Sequence, residues 1–346
     1  MLASKPLNTA SMRTCKDLVL ASKAFIREDR QRSWIETCAT LLGICALFSL
    51  TFLNFHLSIR LVLSCLCGLF YVRMFIIYHD YQHHAILQGS VAARWVMKIF
   101  GVFILAPQTI WKRSHDHHHT HNSKLTIHGI GSYPTISKTR YLSLTGAEQR
   151  LYLLNRHPLT VIFGYFTLFI YWLNVKSFLQ SPRKHMDSLL SLVLHVIGGA
   201  GVFYWFGLTT FVVSWLMPFF IAFFMGSYLF YCQHNFPSAK FCENHDWKYD
   251  QAAIASTSFM AMPRIMHWFT GNIGYHHVHH LNSRIPFYRL PESMKSMPEL
   301  WNVPRTSWNP MEMWRCFQLK LWDADRGKMI TLYQAFHADV PPAVAL

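Results

Sequence analysis

Long apolar runs separated by polar, histidine-rich stretches set the pattern of this chain. Residues 37–55 carry no charge, and a helix of that length rises roughly 30 Å, the thickness of a bilayer's hydrocarbon core. Residues 61–78 follow after a very short turn, which predicts a helical hairpin. Arg73 lies near its exit end, where a long side chain can snorkel to the headgroups. Residues 189–207 and 209–231 predict a second hairpin; Gly198, Gly199, Ala200 and Gly201 offer a small-residue surface for close helix contact, and Pro218 predicts a kink. Residues 95–111 contain Lys98 and Pro107 and are placed at the interface, while 160–175 are marginal for a span. Histidine clusters stand before and after the second hairpin and share a side only if an even number of spans separates them, so 160–175 are laid on the membrane surface. The expected fold is an all-α integral membrane protein with four transmembrane helices as two hairpins (37–78 and 189–231) and a cytosolic histidine-rich helical cap. The chain reads as one domain, 1–346: an N-terminal segment 1–36, the two hairpins, an intervening region 79–188 and a cap 232–346, with Trp301, Trp308, Trp314 and Trp322 available as interfacial anchors.

Composition agrees with this pattern. Hydrophobic residues make up 52% and charged residues 14%, which excludes disorder and coiled coil. Mean hydropathy is only +0.17, so something offsets the apolar runs, and much of it is 21 histidines. Arg94, Lys98, Lys112, Arg113, Lys124, Lys138 and Arg140 lie between the hairpins, whereas the turns within them carry Arg60 alone. The positive-inside rule therefore puts both termini and the central region in the cytosol. A net charge of +15 suits an anionic lipid surface or an acidic protein partner. Nucleic acid is set aside because the apolar runs demand lipid. The eight cysteines form no CxxC or zinc-finger spacing and read as free thiols, and residues 1–36 show no secretory apolar core, so the start is expected to be uncleaved.

Three histidine clusters carry the candidate chemistry. His79 and His83 are four apart in His79-Asp80-Tyr81-Gln82-His83-His84, and either His83 or His84 completes that group. In the stretch from Ser114 to His121, His115, His118 and His119 fall at i, i+3 and i+4; His276, His279 and His280 repeat the spacing. Eight imidazoles exceed what one ion accepts, which implies two metals. His117, His121 and His277 point off these faces and read as supporting or solvated. His56, His128, His157, His185 and His337 read as surface or interface residues, and His195 as a packing histidine inside a span. Imidazole suits zinc, copper, iron or nickel, so ligand type leaves the ion open. Asp80 and Asp116 sit inside the boxes as acceptors that would orient imidazole rings. No nucleophile elbow, P-loop or dinucleotide fingerprint is found. An all-nitrogen pair of redox metals beside a membrane fits oxygen activation and C–H abstraction from an apolar chain.

The HDxxHH from His79 to His84, WKRSHDHHHTHN from Trp111 to Asn122, and HHVHHLNSRIPFYRL after Gly271-Asn272-Ile273-Gly274 together resemble the integral-membrane fatty acid desaturase family, especially its acyl-lipid branch. The resemblance implies a non-haem di-iron centre with molecular oxygen as co-substrate. It adds His234, in the pair Gln233-His234 after the last span, as a further ligand and makes Asn272 a candidate for holding a metal-bound water. It implies insertion of a cis double bond into a long acyl chain, carried on a membrane lipid or an acyl thioester. No haem-binding HPGG segment is present, so electrons are expected from an external donor, ferredoxin or cytochrome b5. Two rivals remain: a related di-iron hydroxylase or carotenoid ketolase, and, from another class, a histidine-rich metal transporter, which would want ligands inside the spans.

Overall fold

The structure, a computed structural model, describes residues 13–125, 133–243 and 246–337. His128 lies outside the described residues. After a short helix α1 (Cys15–Ser22), Asp29 accepts the Arg32 amide and starts α2 (Arg30–Leu50) in polar sequence well ahead of the apolar run. His56 caps α3 (Leu57–Gln82), which continues past residue 78 to end within the first histidine cluster. The two helices run antiparallel, with Glu36 bound to Arg73 and Gly43 under the Phe70 ring. Arg73 therefore does not snorkel. It is buried, because Glu36 and the Trp268 carbonyl satisfy its guanidinium inside the protein.

Helices α4 (Val91–Phe103) and α5 (Gln108–His121) meet at 90°, with Pro107 at the N-cap of α5. Short helices α6 (Lys138–Leu142), α7 (Gly146–Asn155) and α8 (Pro158–Ile162) lead to a π-helical stretch, Tyr165–Lys176, and α9 (Ser177–Gln180). Within that stretch Tyr165 and Phe169 pack on Phe223, at 5.2 and 4.1 Å between ring centres, while Phe166, Tyr171 and Trp172 face outward.

Helix α10 (Met186–Phe211), a π turn Val212–Leu216 and α11 (Met217–Cys232) run on for 47 residues, far more than one crossing needs. Gly207, at φ 78° and ψ 175°, breaks the run. Contacts pair up about it: Gly198 and Gly199 against Trp215, Phe203 against Phe211 at 6.1 Å, His195 against Phe219 at 4.7 Å. The two arms thus lie side by side, and the small residues admit the Trp215 ring. The π turn ends two residues before Pro218, whose missing N–H disrupts the regular ladder. His195 is a packing residue, with Nε2 against the Tyr165 hydroxyl. Among the described residues three helical stretches are long and apolar enough to cross a membrane, or four if α4 and α5 count as one broken span.

Over its described residues the remaining chain carries six short α-helices among loops: α12 (Tyr249–Ala255), α13 (Arg264–Phe269), α14 (His276–Leu281), α15 (Leu290–Ser296), α16 (Pro310–Gln318) and α17 (Leu332–Phe336). It also holds two two-stranded sheets, a departure from the all-α expectation. β1 (Phe259–Ala261) pairs in parallel with β2 (Arg305–Ser307), and β3 (Leu319–Asp323) pairs antiparallel with β4 (Lys328–Thr331). Their few residues are too short a window for a period-two signal to stand out. Trp322 is buried in this hairpin against Phe241 (5.8 Å), so it is no interfacial anchor; Trp301 and Trp314 are exposed. α1 packs into a separate core with Val278, Leu281 and Leu290, steadying α14 from behind.

Candidate metal centre

Two groups of imidazoles, all buried but the half-buried His234, adjoin at the end of α3. His79, His83, His115, His119 and His279 form one; His118, His234, His276 and His280 form the other; within each, one ring nitrogen per residue lies within 4.8 Å of all the rest. Helical spacing explains the partition. On α5 the i, i+4 pair His115 and His119 turns to the first group and His118 to the second. On α14 the i, i+4 pair His276 and His280 turns to the second group and His279 to the first. The groups touch where His119 stacks on His280, ring centres 4.3 Å apart.

Hydrogen bonds from outside aim the rings. His79 Nδ1 donates to Asp80 Oδ1 (3.1 Å), and Asp80 Oδ2 accepts the Phe287 amide (2.6 Å). His234 Nδ1 donates to the Ser256 carbonyl (3.2 Å). With their protons held at Nδ1, both rings present a bare Nε2 inward. Within each group Nε2 then faces Nε2: His276 to His234 at 2.8 Å and His118 to His280 at 3.2 Å in the second, and His119 to both His115 and His279 at 3.1 Å in the first. The buried Nε2 of His83 has no hydrogen-bond partner. Lone pairs converging in this way are satisfied together by a cation at each focus, so the residues fit a pair of metal ions. Burial, reinforced by the neighbouring imidazoles, holds His83, His276, His279 and His280 well below the usual imidazole range, and burial brings His234 down to about 4. The rings are therefore neutral and able to ligate at neutral pH.

Not every residue singled out in the sequence reaches the centre. His84 follows the helix end at φ 59°, is exposed, and donates from Nδ1 to Gln88 Oε1 (2.7 Å), so the structure brings in His83 and not His84. Asp116 is exposed and accepts from Lys112 Nζ (2.8 Å). Asn272 donates to the Phe287 carbonyl (3.1 Å); with Asp80 on the amide of the same residue, it clamps the segment after the third box. His117 and His121 stack on each other at 3.9 Å on the outer face of α5, whereas His277 is fully buried beside Phe259 and is not solvated. Sequence reasoning missed Trp111, whose ring stacks on His115 at 4.5 Å, although its place four residues earlier on α5 was a usable signal. It also missed the Ser256 carbonyl and the Tyr249 hydroxyl, which donates to the His280 carbonyl; these long-range backbone contacts leave no local signature.

Fold and site together define an apolar-helix protein built around paired histidine clusters of metal-ligand type. The profile of the fatty acid desaturase family matches residues 56–309. A fatty acid desaturase of Bacillus subtilis is 29% identical over 332 residues, covering 94% of both chains. The chain is also similar to a chloroplastic omega-6 fatty acid desaturase of Spinacia oleracea (27% identical, 68% of this chain and 54% of that one) and an sn-1 oleoyl-lipid 12-desaturase of Synechocystis (25% identical, 73% of each). The chain belongs to the fatty acid desaturase family. It is accordingly an integral-membrane oxidoreductase of lipid metabolism, with buried histidine clusters suited to metal.

Proposed function

We propose that this protein inserts a cis double bond into a long, lipid-linked acyl chain, using molecular oxygen and a non-haem di-iron centre held by the two histidine groups. The observation that carries this reading is the pair of adjoining, carboxylate-free imidazole sets, a donor set suited to redox metals. In the overall reaction a –CH2–CH2– unit loses two hydrogens, and oxygen takes them up with two electrons and two protons to leave as two waters. Bound and reduced irons would supply the oxygen activation that an unactivated C–H bond demands. His79, His83, His115, His119 and His279 would hold one iron, and His118, His234, His276 and His280 the other. Asp80 and the Ser256 carbonyl keep the His79 and His234 rings aimed, and burial of the imidazoles excludes bulk water.

In this reading α2, α3 and the two arms about Gly207 are four spans forming two hairpins, and both termini and the centre face the cytosol. The basic residues between the hairpins support that sidedness and suit an anionic lipid surface and an acidic external donor, ferredoxin or cytochrome b5. The lipid-linked substrate is supported by the Synechocystis relative. Lipid mass spectrometry of expressing cells, with metal analysis of the purified protein, tests the whole. Acyl chains short of two hydrogens and two irons per polypeptide are expected. Chains that gain an oxygen instead would turn the assignment to hydroxylation, and zinc in place of iron would end the di-iron reading.

A further inference from the structure

Helix α13 lies just ahead of the third histidine box, in a region that the sequence alone assigns to a wholly cytosolic cap. Its packing runs down α3 instead. The Trp268 carbonyl accepts from Arg73, the Trp268 ring covers the Arg73 guanidinium at 3.9 Å, and the Trp268 and Phe269 rings each meet Phe70 edge-on at 5.7 Å. Counted back along α3 from His79 in the first histidine group, Arg73 lies about 9 Å and Phe70 about 14 Å down the helix axis. The end of α13 is thus beside the apolar run of α3 and not above it. The helix turns Ile265 outward, 60% exposed, and the Trp268 ring, though packed on Arg73, keeps 42% of its surface exposed, level with the outward Ile35, which neighbours the Glu36 that closes on Arg73. Arg264 is exposed at the start of the same helix.

We propose that α13 is inserted into the bilayer leaflet on the side of the histidine centre, with Ile265 and Trp268 among lipid acyl chains and Arg264 at the phosphate headgroups. The inference rests on the reading of α2 and α3 as spans. An outward tryptophan and isoleucine beside an arginine is the composition that a membrane interface selects, and the face adjoins the outward apolar face of α2. The segment leading into His276, His279 and His280 is then held by lipid as well as by protein.

Full-length protein in phosphatidylcholine–phosphatidylglycerol vesicles tests this. The emission lost on Trp268→Phe should be quenched by lipids brominated near the headgroup end of the acyl chain and spared by iodide in the buffer. Should that variant not fold, p-benzoylphenylalanine at the exposed Ile265 should photo-crosslink to lipid, while the same probe at Asp325, in the β3–β4 turn, should not. Iodide quenching of the Trp268 component, or a lipid-free crosslink pattern from position 265, overturns the proposal if the remaining tryptophans are still quenched by brominated lipid. If no tryptophan is quenched by that lipid, the membrane-spanning reading itself fails.

Discussion

His83 and His84 are adjacent, yet one points a bare nitrogen into the centre and the other pairs with Gln88 outside it, because the chain turns to positive φ at His84. His83→Ala should therefore lose metal from the first group, whereas His84→Ala should keep the metal content and turnover of the parent; purified protein analysed for iron and product separates the two. His118→Ala should abolish turnover while leaving membrane insertion intact, and a fully active mutant would remove it from the ligand set. Asp80 fixes the tautomer and direction of His79, so Asp80→Asn should weaken metal binding by about 10–100-fold, measured by competition with a chelator. His277 touches no metal position, but burial holds its imidazole down to about 3. The folded state then binds fewer protons than the unfolded chain below about pH 6.5, so this residue contributes stability above that pH that is lost as the pH falls toward 3. His277→Leu should flatten the decline of melting temperature on acidification; an unchanged slope would show that other groups govern it.

Elements depend on a few close approaches. Gly164 lets the π-helical stretch meet α11, since a Cβ there would lie 1.9 Å from Ser227 Oγ. Gly164→Val should cost about 1–3 kcal/mol, read as a lower unfolding midpoint in detergent. The Arg73–Glu36 pair ties α2 to α3 with the guanidinium nearly solvent-free. Arg73→Met removes the buried partner of Glu36, which keeps only Arg32 at 3.7 Å, and should destabilise by about 1–3 kcal/mol, while adding Glu36→Met should recover part of the loss. Uninterrupted apolar length made the long helices legible, and the i, i+3, i+4 spacing made the histidine faces legible. The start of α2 at Arg30 and the two small sheets were not, because an N-cap and strand pairing outweigh hydropathy over a few residues.

At the scale of the molecule, the centre joins the ends of α3 and α11 to α5 and α14, elements far apart in sequence. Metal bound only by the assembled state stabilises that state by mass action. Stripping it with a chelator should lower the unfolding midpoint and increase proteolysis of the segments carrying His115–His119 and His276–His280, and re-added ferrous iron should restore both. The sequence by itself determined which stretches are apolar enough to be helices in lipid, and which imidazoles share a helix face, since both follow from composition and a 3.6-residue period within one segment. Tertiary structure alone decided how those faces divide into two groups, that His83 enters where His84 does not, that Arg73 and Trp322 are buried, and that Ser256 aims His234. Each of these depends on contacts between residues distant along the chain, and no local periodicity encodes them.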